Sequence, residues 1–209
     1  MRILIADDHA VVRQGLKQIL ADEFPTAVFG EATTAAEVLD QARNHQWDLL
    51  LLDVSLPDKS GLDVLKELKP TQPKLPTLVL SMHPEDQFAV RVLKAGASGY
   101  LTKETAPEKL AEAARKAING GTYVSSSLAE TLAHGAAGNQ DKRPYEILSD
   151  REFEVARMLA SGKSAKEIAG AMSLSVKTVS TYRTRLLEKL RLKNNAELMR
   201  YALLNHLVD

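Results

Sequence analysis

The chain has 209 residues, of which 44% are hydrophobic and 26% charged, a composition typical of a globular protein with one large or two small domains. No run approaches the ~20 apolar residues needed to cross a bilayer, and the N-terminus lacks the apolar region and cleavage site of a signal peptide. The absence of cysteine excludes a disulfide scaffold, thiolate zinc sites and thiol catalysis, so we expect a cytoplasmic protein without a membrane segment.

Charge is divided unevenly along the chain. Residues 1–146 carry 16 basic and 20 acidic side chains, a net charge of −4, whereas residues 147–209 carry 11 and 7, a net charge of +4. An acidic first part and a basic last part predict two domains, of which the second lies near a polyanion.

Five short apolar strands alternate with five helices in the first 120 residues. Strands are predicted at residues 2–6, 27–31, 47–53, 77–81 and 98–101. The helix after the first strand places Val12, Leu16, Ile19 and Leu20 at helical spacing. The later helices are predicted at 35–43, at 61–68, at 86–94 and from Pro107 onward. This alternation predicts an α/β fold with a parallel sheet covered by helices on both sides.

The third strand is a run of four leucines, residues 49–52, that stops at Asp53. Such a run is typical of a strand buried on both faces. Ligands of open parallel sheets bind outside the carboxyl ends of the strands, which makes Asp53 a candidate site residue. Taken alone, Asp53 is better explained as a turn residue that closes a strand.

Polar side chains follow several of the other predicted strands. Asp7 and Asp8 end the first strand, Ser81 ends the fourth, and the fifth runs into Lys103. Three carboxylates at one sheet edge repel each other unless a cation neutralises them, and Mg²⁺ accepts carboxylate and phosphate oxygens. Asp53 is then a candidate nucleophile toward a phosphoryl group, whose oxygens Lys103 and Ser81 would bind.

Residues 1 to about 120 resemble the receiver domain of two-component response regulators. The resemblance is carried by residues 5–9 (IADDH), 51–57 (LLDVSLP), 80–81 (LS) and 95–103 (AGASGYLTK). It implies a doubly wound, flavodoxin-like (βα)5 domain that a histidine kinase phosphorylates on Asp53.

The resemblance also implies roles for the neighbours of Asp53. Ser81 and Tyr100 match the pair whose rearrangement reports phosphorylation. The implied ligands of Mg²⁺ are Asp7, Asp8, Asp53 and the backbone carbonyl of Ser55.

Two features of this region are the peptide bond after Lys103 and the role of His9. Many receivers place proline after the lysine, in a cis peptide, whereas this chain has Glu104, so the geometry of the Lys103–Glu104 peptide is left open. His9 is a potential metal ligand, but we interpret it as a solvated residue at the start of a helix because Mg²⁺ prefers oxygen.

Residues 121–146 are predicted to be a linker. Gly120 and Gly121 end the last receiver helix, and the serines at 125–127 are placed to cap a short helix that runs to Leu132. Residues 135–144 (GAAGNQDKRP) have no apolar periodicity and are typical of a mobile connection. We therefore predict domains at 1–120 and 147–209 that can change their relative placement.

The basic C-terminal part has the pattern of a four-helix helix-turn-helix domain. Ser149 with Glu152, and Ser164 with Glu167, form two capping boxes that start the first two helices. Residues 173–174 form a tight turn, Ser175 caps a third helix, and a fourth follows Asn194 and Asn195.

The third helix separates into an apolar and a polar side. Val179, Leu186, Leu187 and Leu190 face the core, and hydroxyls and cations occupy the opposite side. A solvated face of a structural helix would give the same pattern. The capping boxes, the turn and the positive charge together favour DNA contact instead.

Residues 148–206 resemble the DNA-binding domain of the LuxR/NarL type. The resemblance is carried by residues 148–152 (LSDRE), 162–169 (GKSAKEIA) and 175–182 (SVKTVSTY), followed by Leu190. Ser180, Thr181 and Thr184 fall on the family's main groove-reading positions, two of which are lysines in some relatives. Our candidates for phosphate contact are Lys177, Thr178, Arg185 and, ranked last because it points partly toward the core, Arg183.

These observations predict a two-component response regulator that binds double-stranded promoter DNA as a homodimer after phosphorylation, with RNA polymerase as a further expected partner. No enzyme activity is expected beyond slow transfer onto and off Asp53. One alternative is a Mg²⁺-dependent phosphohydrolase that forms an aspartyl-phosphate, although Ser55 stands where such enzymes of the haloacid dehalogenase type have a second aspartate. Another is a DNA-binding regulator that acts independently of phosphorylation.

Overall fold

A computed structural model describes residues 1–82, 85–137, 144–172, 174–205 and 207–208. The chain forms two compact units, Met1–Gly138 and Asn139–Asp209. Within the described residues, no helix combines the length and the apolar character that crossing a bilayer requires.

The first unit contains one five-stranded parallel sheet. Its strands are β1 (Arg2–Ala6), β2 (Val28–Ala32), β3 (Leu49–Asp53), β4 (Thr77–Ser81) and β5 (Gly99–Thr102), in the order β2-β1-β3-β4-β5. All four leucines of β3 are fully buried, as the run of apolar residues predicted. The strand begins two residues later than expected, and Trp47 before it packs against Gly30 of the edge strand β2.

Helices cover both faces of this sheet. They are α1 (Ala10–Glu23), α2 (Ala35–Asn44), α3 (Gly61–Leu68), α4 (Glu85–Lys94) and α5 (Ala106–Ile118). The apolar faces of α1 and α5 pack on alternate residues of the strands, such as Ile5, Leu51 and Leu80, in one core cluster. The residues between them, such as Leu50 and Leu52, are directed to the opposite face because side chains alternate along a strand.

A sixth helix, α6 (Ser126–Ala137), extends five residues beyond the predicted end at Leu132 and includes Gly135, which was assigned to the linker. The segment before it is attached to the sheet edge, since Tyr123 is buried and its N–H donates to the Ser98 carbonyl at 2.7 Å. Glu85 at the start of α4 accepts hydrogen bonds from the hydroxyls of Ser125, at 2.5 Å, and Ser127, at 3.1 Å. Residues 138–143 of the expected mobile connection lie outside the described residues.

The second unit is helical. A 3₁₀ turn (Pro144–Ile147) precedes α7 (Asp150–Ala160), α8 (Ala165–Ala171), α9 (Val176–Leu190) and α10 (Asn195–Leu204). Both predicted capping boxes are present, at Ser149 with Glu152 and at Ser164 with Glu167. The Leu174 N–H donates to the Ala169 carbonyl near the end of α8 at 2.8 Å, and Ser173, the other residue of the predicted turn, lies outside the described residues. The predicted combination of a doubly wound α/β domain and a helical C-terminal domain is confirmed.

Candidate functional site

Asp53 ends β3 at the carboxyl edge of the sheet, and its side chain is only 1% exposed. Its Oδ1 accepts the Ser55 backbone N–H at 3.2 Å, and its Oδ2 accepts a hydrogen bond from Lys103 Nζ at 2.8 Å. Burial raises the pKa of Asp53 and outweighs the lowering effect of Lys103, while the nearby charge of Asp7 raises the pKa further. The carboxylate is thus held in place by two donors in a poorly solvated environment.

Lys103 pairs with a second buried carboxylate. Its Nζ lies 2.6 Å from Asp7 Oδ2, and the side chain of Asp7 is completely buried. Burial lowers the pKa of Lys103, but the charges and hydrogen bonds of Asp53 and Asp7 more than compensate, so its pKa lies above the ordinary value. The lysine is therefore a firmly protonated link between two acids.

Asp8 and His9 complete an acidic cluster with Asp7 and Asp53. Each of the four residues offers one potential ligand atom, and these four atoms all lie within 4.8 Å of one another. His9 Nδ1 lies 2.6 Å from Asp8 Oδ1, yet its side chain is 66% exposed and the residue precedes α1, as the solvated interpretation expected. The two buried and one half-exposed carboxylates form an oxygen-rich donor set of the kind that a hard divalent cation prefers.

The sheet register brings these side chains together. Ala6 pairs with Leu52, so the residues that follow, Asp7 and Asp53, lie side by side. Asp53 pairs with Leu80 and Ser81 with Thr102, which places Ser81 and Lys103 at the same edge. Throughout the described chain every peptide bond is trans, and Lys103 reaches both acids with the trans peptide to Glu104.

Ser81 and Tyr100 are both fully buried on adjacent strands. The backbone carbonyl of Ser81 accepts the Lys103 N–H at 2.8 Å, which ties the end of β4 to the start of the loop after β5. Ser55, in contrast, is exposed directly beyond Asp53.

Three residues around the acids escaped the sequence interpretation. Arg13 donates to the Asp7 carbonyl at 2.8 Å and pairs through Nε with Glu31 at 3.0 Å. Asp58, in the loop after β3, accepts the first two N–H groups of α2, from Ala35 and Ala36. Most of these contacts join residues that are far apart in sequence, so the pattern of neighbouring residues does not predict them.

Gly61 is the third such residue. A Cβ at this position would lie 2.1 Å from the Asp53 backbone oxygen, so the backbone of α3 approaches the site more closely than any side chain permits. Its place at the first position of a helix, where glycine is unfavourable, was a signal of this constraint.

Helix α9 has the two sides expected of it. Val179, Leu186, Leu187 and Leu190 are buried. Five of the candidate DNA-contact residues are exposed, namely Lys177, Ser180, Thr181, Thr184 and Arg185. Thr178 is partly buried, and its N–H donates to the capping Ser175 hydroxyl.

Two further observations refine this surface. Arg183 Nε donates to Asn195 Oδ1 at 2.7 Å, so its guanidinium is engaged at the start of α10. Tyr182 and Ser175, which the sequence interpretation did not name as contact residues, line a concave surface together with Lys177, Thr178, Thr181 and Arg185. A tyrosine on a helix is equally consistent with a packing role, so the sequence alone did not mark Tyr182 as a surface residue.

Comparisons with known proteins identify both units. Residues 3–115 match the response regulator receiver domain, and residues 146–202 match the bacterial regulatory proteins of the luxR family. The oxygen regulatory protein NreC of Staphylococcus carnosus is 36% identical over 216 residues, with 100% of both chains covered. The response regulator GacA of Pseudomonas aeruginosa is 35% identical over 210 residues, covering 100% of this chain and 98% of GacA.

Solved structures agree with these relatives. RcsB of Salmonella enterica serovar Typhimurium, bound to promoter rprA in the presence of the phosphomimetic BeF₃⁻, matches with a TM-score of 0.64 and 29% identity over 96% of this chain and 97% of that one. A structure of two RcsB dimers bound to two parallel DNAs matches with a TM-score of 0.59 and 26% identity, covering 96% of this chain and 97% of that one.

The receiver match covers more than half of the chain, and the curated relatives align with it from end to end. A transcription regulator, rather than a phosphohydrolase, is therefore the class that the sequence supports. The chain belongs to the two-component response regulators of the NarL/FixJ type, DNA-binding transcription regulators that join a receiver domain to a LuxR-type helix-turn-helix domain.

Proposed function

We propose that this response regulator is switched by phosphorylation of Asp53. The observation that carries the proposal is the convergence of Asp53, Asp7 and Lys103, with Lys103 Nζ at 2.8 and 2.6 Å from the two buried carboxylates. A carboxylate held by a lysine at the carboxyl edge of a parallel sheet is suited to nucleophilic attack on a phosphoryl group.

The phosphodonor is a phosphohistidine of a cognate histidine kinase. A carboxylate oxygen of Asp53 forms a bond to phosphorus as the phosphorus–nitrogen bond to the kinase histidine breaks, and the released imidazole takes up a proton. Lys103 then pairs with the charge of the bound phosphoryl group, and Ser81 donates a hydrogen bond to one of its oxygens. Water later cleaves the acyl phosphate, so the only catalysis is slow transfer onto and off Asp53.

The acidic cluster fits Mg²⁺. Asp7, Asp8, Asp53 and the backbone carbonyl of Ser55 would hold it, because carboxylate and carbonyl oxygens are its preferred protein ligands. When bound, Mg²⁺ supplies positive charge that neutralises the carboxylates and the oxygens of the entering phosphoryl group. Lys103 pairs with Asp7 and Asp53, and its single positive charge is smaller than the combined charge of the three carboxylates Asp7, Asp8 and Asp53, which supports a need for a further cation.

We assign residues 1–120 to the receiver domain, 121–146 to a connecting segment and 147–209 to the DNA-binding domain. Helix α6 within the connecting segment contacts α4 of the receiver, which supports a role in transmission rather than passive tethering. Ser81 and Tyr100 serve as the switch pair, and phosphorylation shifts an existing equilibrium toward the state that dimerises and binds DNA.

DNA is bound by α9 through the polar face described above. Ser180, Thr181 and Thr184 face the base edges, and Lys177, Thr178 and Arg185 contact phosphates, with Arg183 in a supporting position at the α10 end. Two copies occupy half-sites about one helical turn of DNA, or ~10 bp, apart. Recruitment of RNA polymerase at promoters and a cytoplasmic location complete the proposal.

The test compares the wild-type chain with Asp53→Asn, each with and without acetyl phosphate and Mg²⁺. Sedimentation should show phosphodonor-dependent dimers, and footprinting should show protected promoter DNA, for the wild type only. Phosphodonor-dependent dimers and footprints in Asp53→Asn would refute the assignment of Asp53. Equal footprints in the wild type with and without phosphodonor would instead indicate a regulator independent of phosphorylation.

A further inference from the structure

Three exposed hydroxyl side chains on α9 share one hydrogen-bonding arrangement. Ser180 Oγ donates to the Val176 carbonyl at 3.0 Å, Thr181 Oγ1 to the Lys177 carbonyl at 3.0 Å, and Thr184 Oγ1 to the Ser180 carbonyl at 3.1 Å. Each bond runs to the carbonyl four residues earlier, which is a known local partner of serine and threonine in helices. The three side chains also lie within an arc of about 100° of the helix circumference.

This arrangement limits what the polar face can offer to a partner. A hydroxyl has a single proton and two acceptor lone pairs. Since each proton is given to the helix backbone, the three oxygens face outward as acceptors. Thr181 and Thr184 add a methyl group each, so the exposed face combines acceptors with small apolar groups.

The base edges of the major groove differ in what they can pair with such a face. Adenine and cytosine present amino donors, thymine presents a methyl group, and guanine presents only the acceptors N7 and O6. A hydroxyl whose proton is occupied can accept from an amino group but cannot donate to guanine. An A·T pair is the only one that offers both an amino donor and a methyl group on its major-groove edge.

We infer that the central face of α9, formed by Ser180, Thr181 and Thr184, selects A·T pairs in each half-site through adenine amino groups and thymine methyl groups, and does not read guanine. The inference rests on the proposed DNA-binding function and names the base pairs that this surface selects.

The cations of α9 do not change this assignment. Lys177 and Arg185 line the concave surface with Ser175 and Tyr182, and of the central face Thr181 lines it as well. Arg183 is held by Asn195. Guanine is commonly read by arginine or lysine, so a guanine requirement would have to arise from Lys177 or Arg185 rather than from the hydroxyls.

The test uses the full chain with acetyl phosphate and Mg²⁺. Selection from a randomised DNA library should yield half-sites whose contacted positions are A·T pairs. Replacing the contacted thymines one at a time by uracil removes only the methyl group, and replacing adenine by purine removes only the amino group. We expect each replacement to weaken binding about 5-fold for the wild type, the effect of losing one good contact.

Variants then assign each contact to a side chain. Thr181→Ser and Thr184→Ser each remove one threonine methyl group. If that methyl group contacts a thymine methyl group, replacing this thymine by uracil should no longer weaken binding by the variant. In Thr181→Val or Thr184→Val, which keep the shape and lose the acceptor, the purine replacement should become silent. Thr122→Ser, at an exposed position of the first unit, should retain the wild-type penalties, and circular dichroism checks that each variant is folded.

The outcomes separate the inference from the proposed function. Selected half-sites that require guanine at the contacted positions, with the requirement retained in both Arg185→Ala and Lys177→Ala, would overturn the inference alone. Uracil and purine penalties that persist in all four threonine variants would do the same. Absence of any selected DNA would overturn the proposed function and the inference together.

Discussion

Lys103 Nζ lies 2.8 Å from Asp53 Oδ2, although 50 residues separate the two in sequence. The contact arises because β3, β4 and β5 are neighbours in the sheet, so the residues that follow them meet at one edge. The same amino group lies 2.6 Å from Asp7 Oδ2. One cation thus holds two buried carboxylates that would otherwise repel each other.

Asp53→Asn should stabilise the folded chain at neutral pH in metal-free buffer. Because burial raises the pKa of Asp53 above its ordinary 3.8, its ionised form is less favourable in the folded than in the unfolded state. The stability linked to Asp53 is therefore complete below pH 3.8 and is lost as the pH rises through the folded pKa. We expect a gain on the order of 1 kcal/mol at pH 7, measured by urea unfolding, that narrows toward pH 4.

Asp58→Asn is the matched control, with the opposite sign. Burial raises the pKa of Asp58, but the hydrogen bonds from the N–H groups of Ala35 and Ala36 outweigh this effect. The net pKa of Asp58 is therefore below 3.8. The stability from Asp58 is present above pH 3.8 and is lost as the pH falls through the folded pKa. Asp58→Asn should therefore lower stability at pH 7. Equal effects of the two variants would contradict the different environments that the structure gives them.

Gly61→Ala should disturb the site through the backbone. The added Cβ would meet the Asp53 backbone oxygen at 2.1 Å, so α3 or the end of β3 must move. We expect a loss of about 2 kcal/mol in the free energy of unfolding and slower labelling by acetyl phosphate.

Gly15→Ala provides the comparison, because its Cβ would meet nothing within 4 Å at this exposed position of α1. Alanine is the better helix former there and should add about 0.5–1 kcal/mol without changing the labelling rate. A Gly61→Ala chain that is as stable and as quickly labelled as Gly15→Ala would show that the close approach does not constrain the site.

Glu85→Gln should loosen α6 from the receiver. The carboxylate accepts from the hydroxyls of Ser125 and Ser127, and bonds to a charged acceptor are stronger than those to a neutral amide. Amide exchange across residues 123–137 should become faster in the variant. Ser126→Ala, an exposed change on the same turn, should leave exchange near the wild-type rate, and equal protection in all three chains would argue against this anchor.

Lys189→Met should reduce the stability of the helical unit and flatten its acid response. Lys189 Nζ lies 2.6 Å from Oε2 of the buried Glu152. Burial raises the pKa of Glu152, but the hydrogen bonds from Lys189 and Ser149 lower it to a net value below 4.5. The resulting stability is present above pH 4.5 and is lost as the pH falls through the folded pKa.

The expected loss at pH 7 is at most about 1 kcal/mol, because Lys189 is partly exposed and its charge is screened by solvent. Amide exchange of α7 and α9 at pH 7 and pH 4 measures it. Lys193→Met, on the exposed residue after the end of α9, should change neither value. A Lys189→Met chain with the wild-type acid response would mean that the ion pair contributes no stability.

Most of the fold could be predicted from local patterns. The leucine run of β3, the alternation of strands and helices and the two capping boxes each carry their signal within a few residues. The carboxyl-edge positions of Asp7, Asp53 and Lys103 then followed from the topology of parallel sheets. Apart from the end of α6, element ends were shifted by at most two residues, which is the ordinary uncertainty of helix and strand termini.

The remainder depended on contacts between distant residues. Nothing near Asp58 indicates that it caps α2, and nothing near Arg183 indicates its partner Asn195. Helix α6 continues through Gly135 to Ala137, where the sequence has no apolar periodicity. The hydrogen bonds of Ser180, Thr181 and Thr184 to the carbonyls four residues earlier depend on side-chain rotamers, which the residue types alone do not specify.

Reductive trapping of the acyl phosphate tests directly whether Asp53 accepts a phosphoryl group. The wild-type chain is incubated with acetyl phosphate and Mg²⁺, reduced with borohydride, which converts an aspartyl-phosphate to homoserine, and mapped by peptide mass spectrometry. We expect homoserine at position 53 in the wild type and none anywhere in Asp53→Asn. Homoserine at Asp7 or Asp8 instead, or no conversion in the folded wild-type chain, would contradict it.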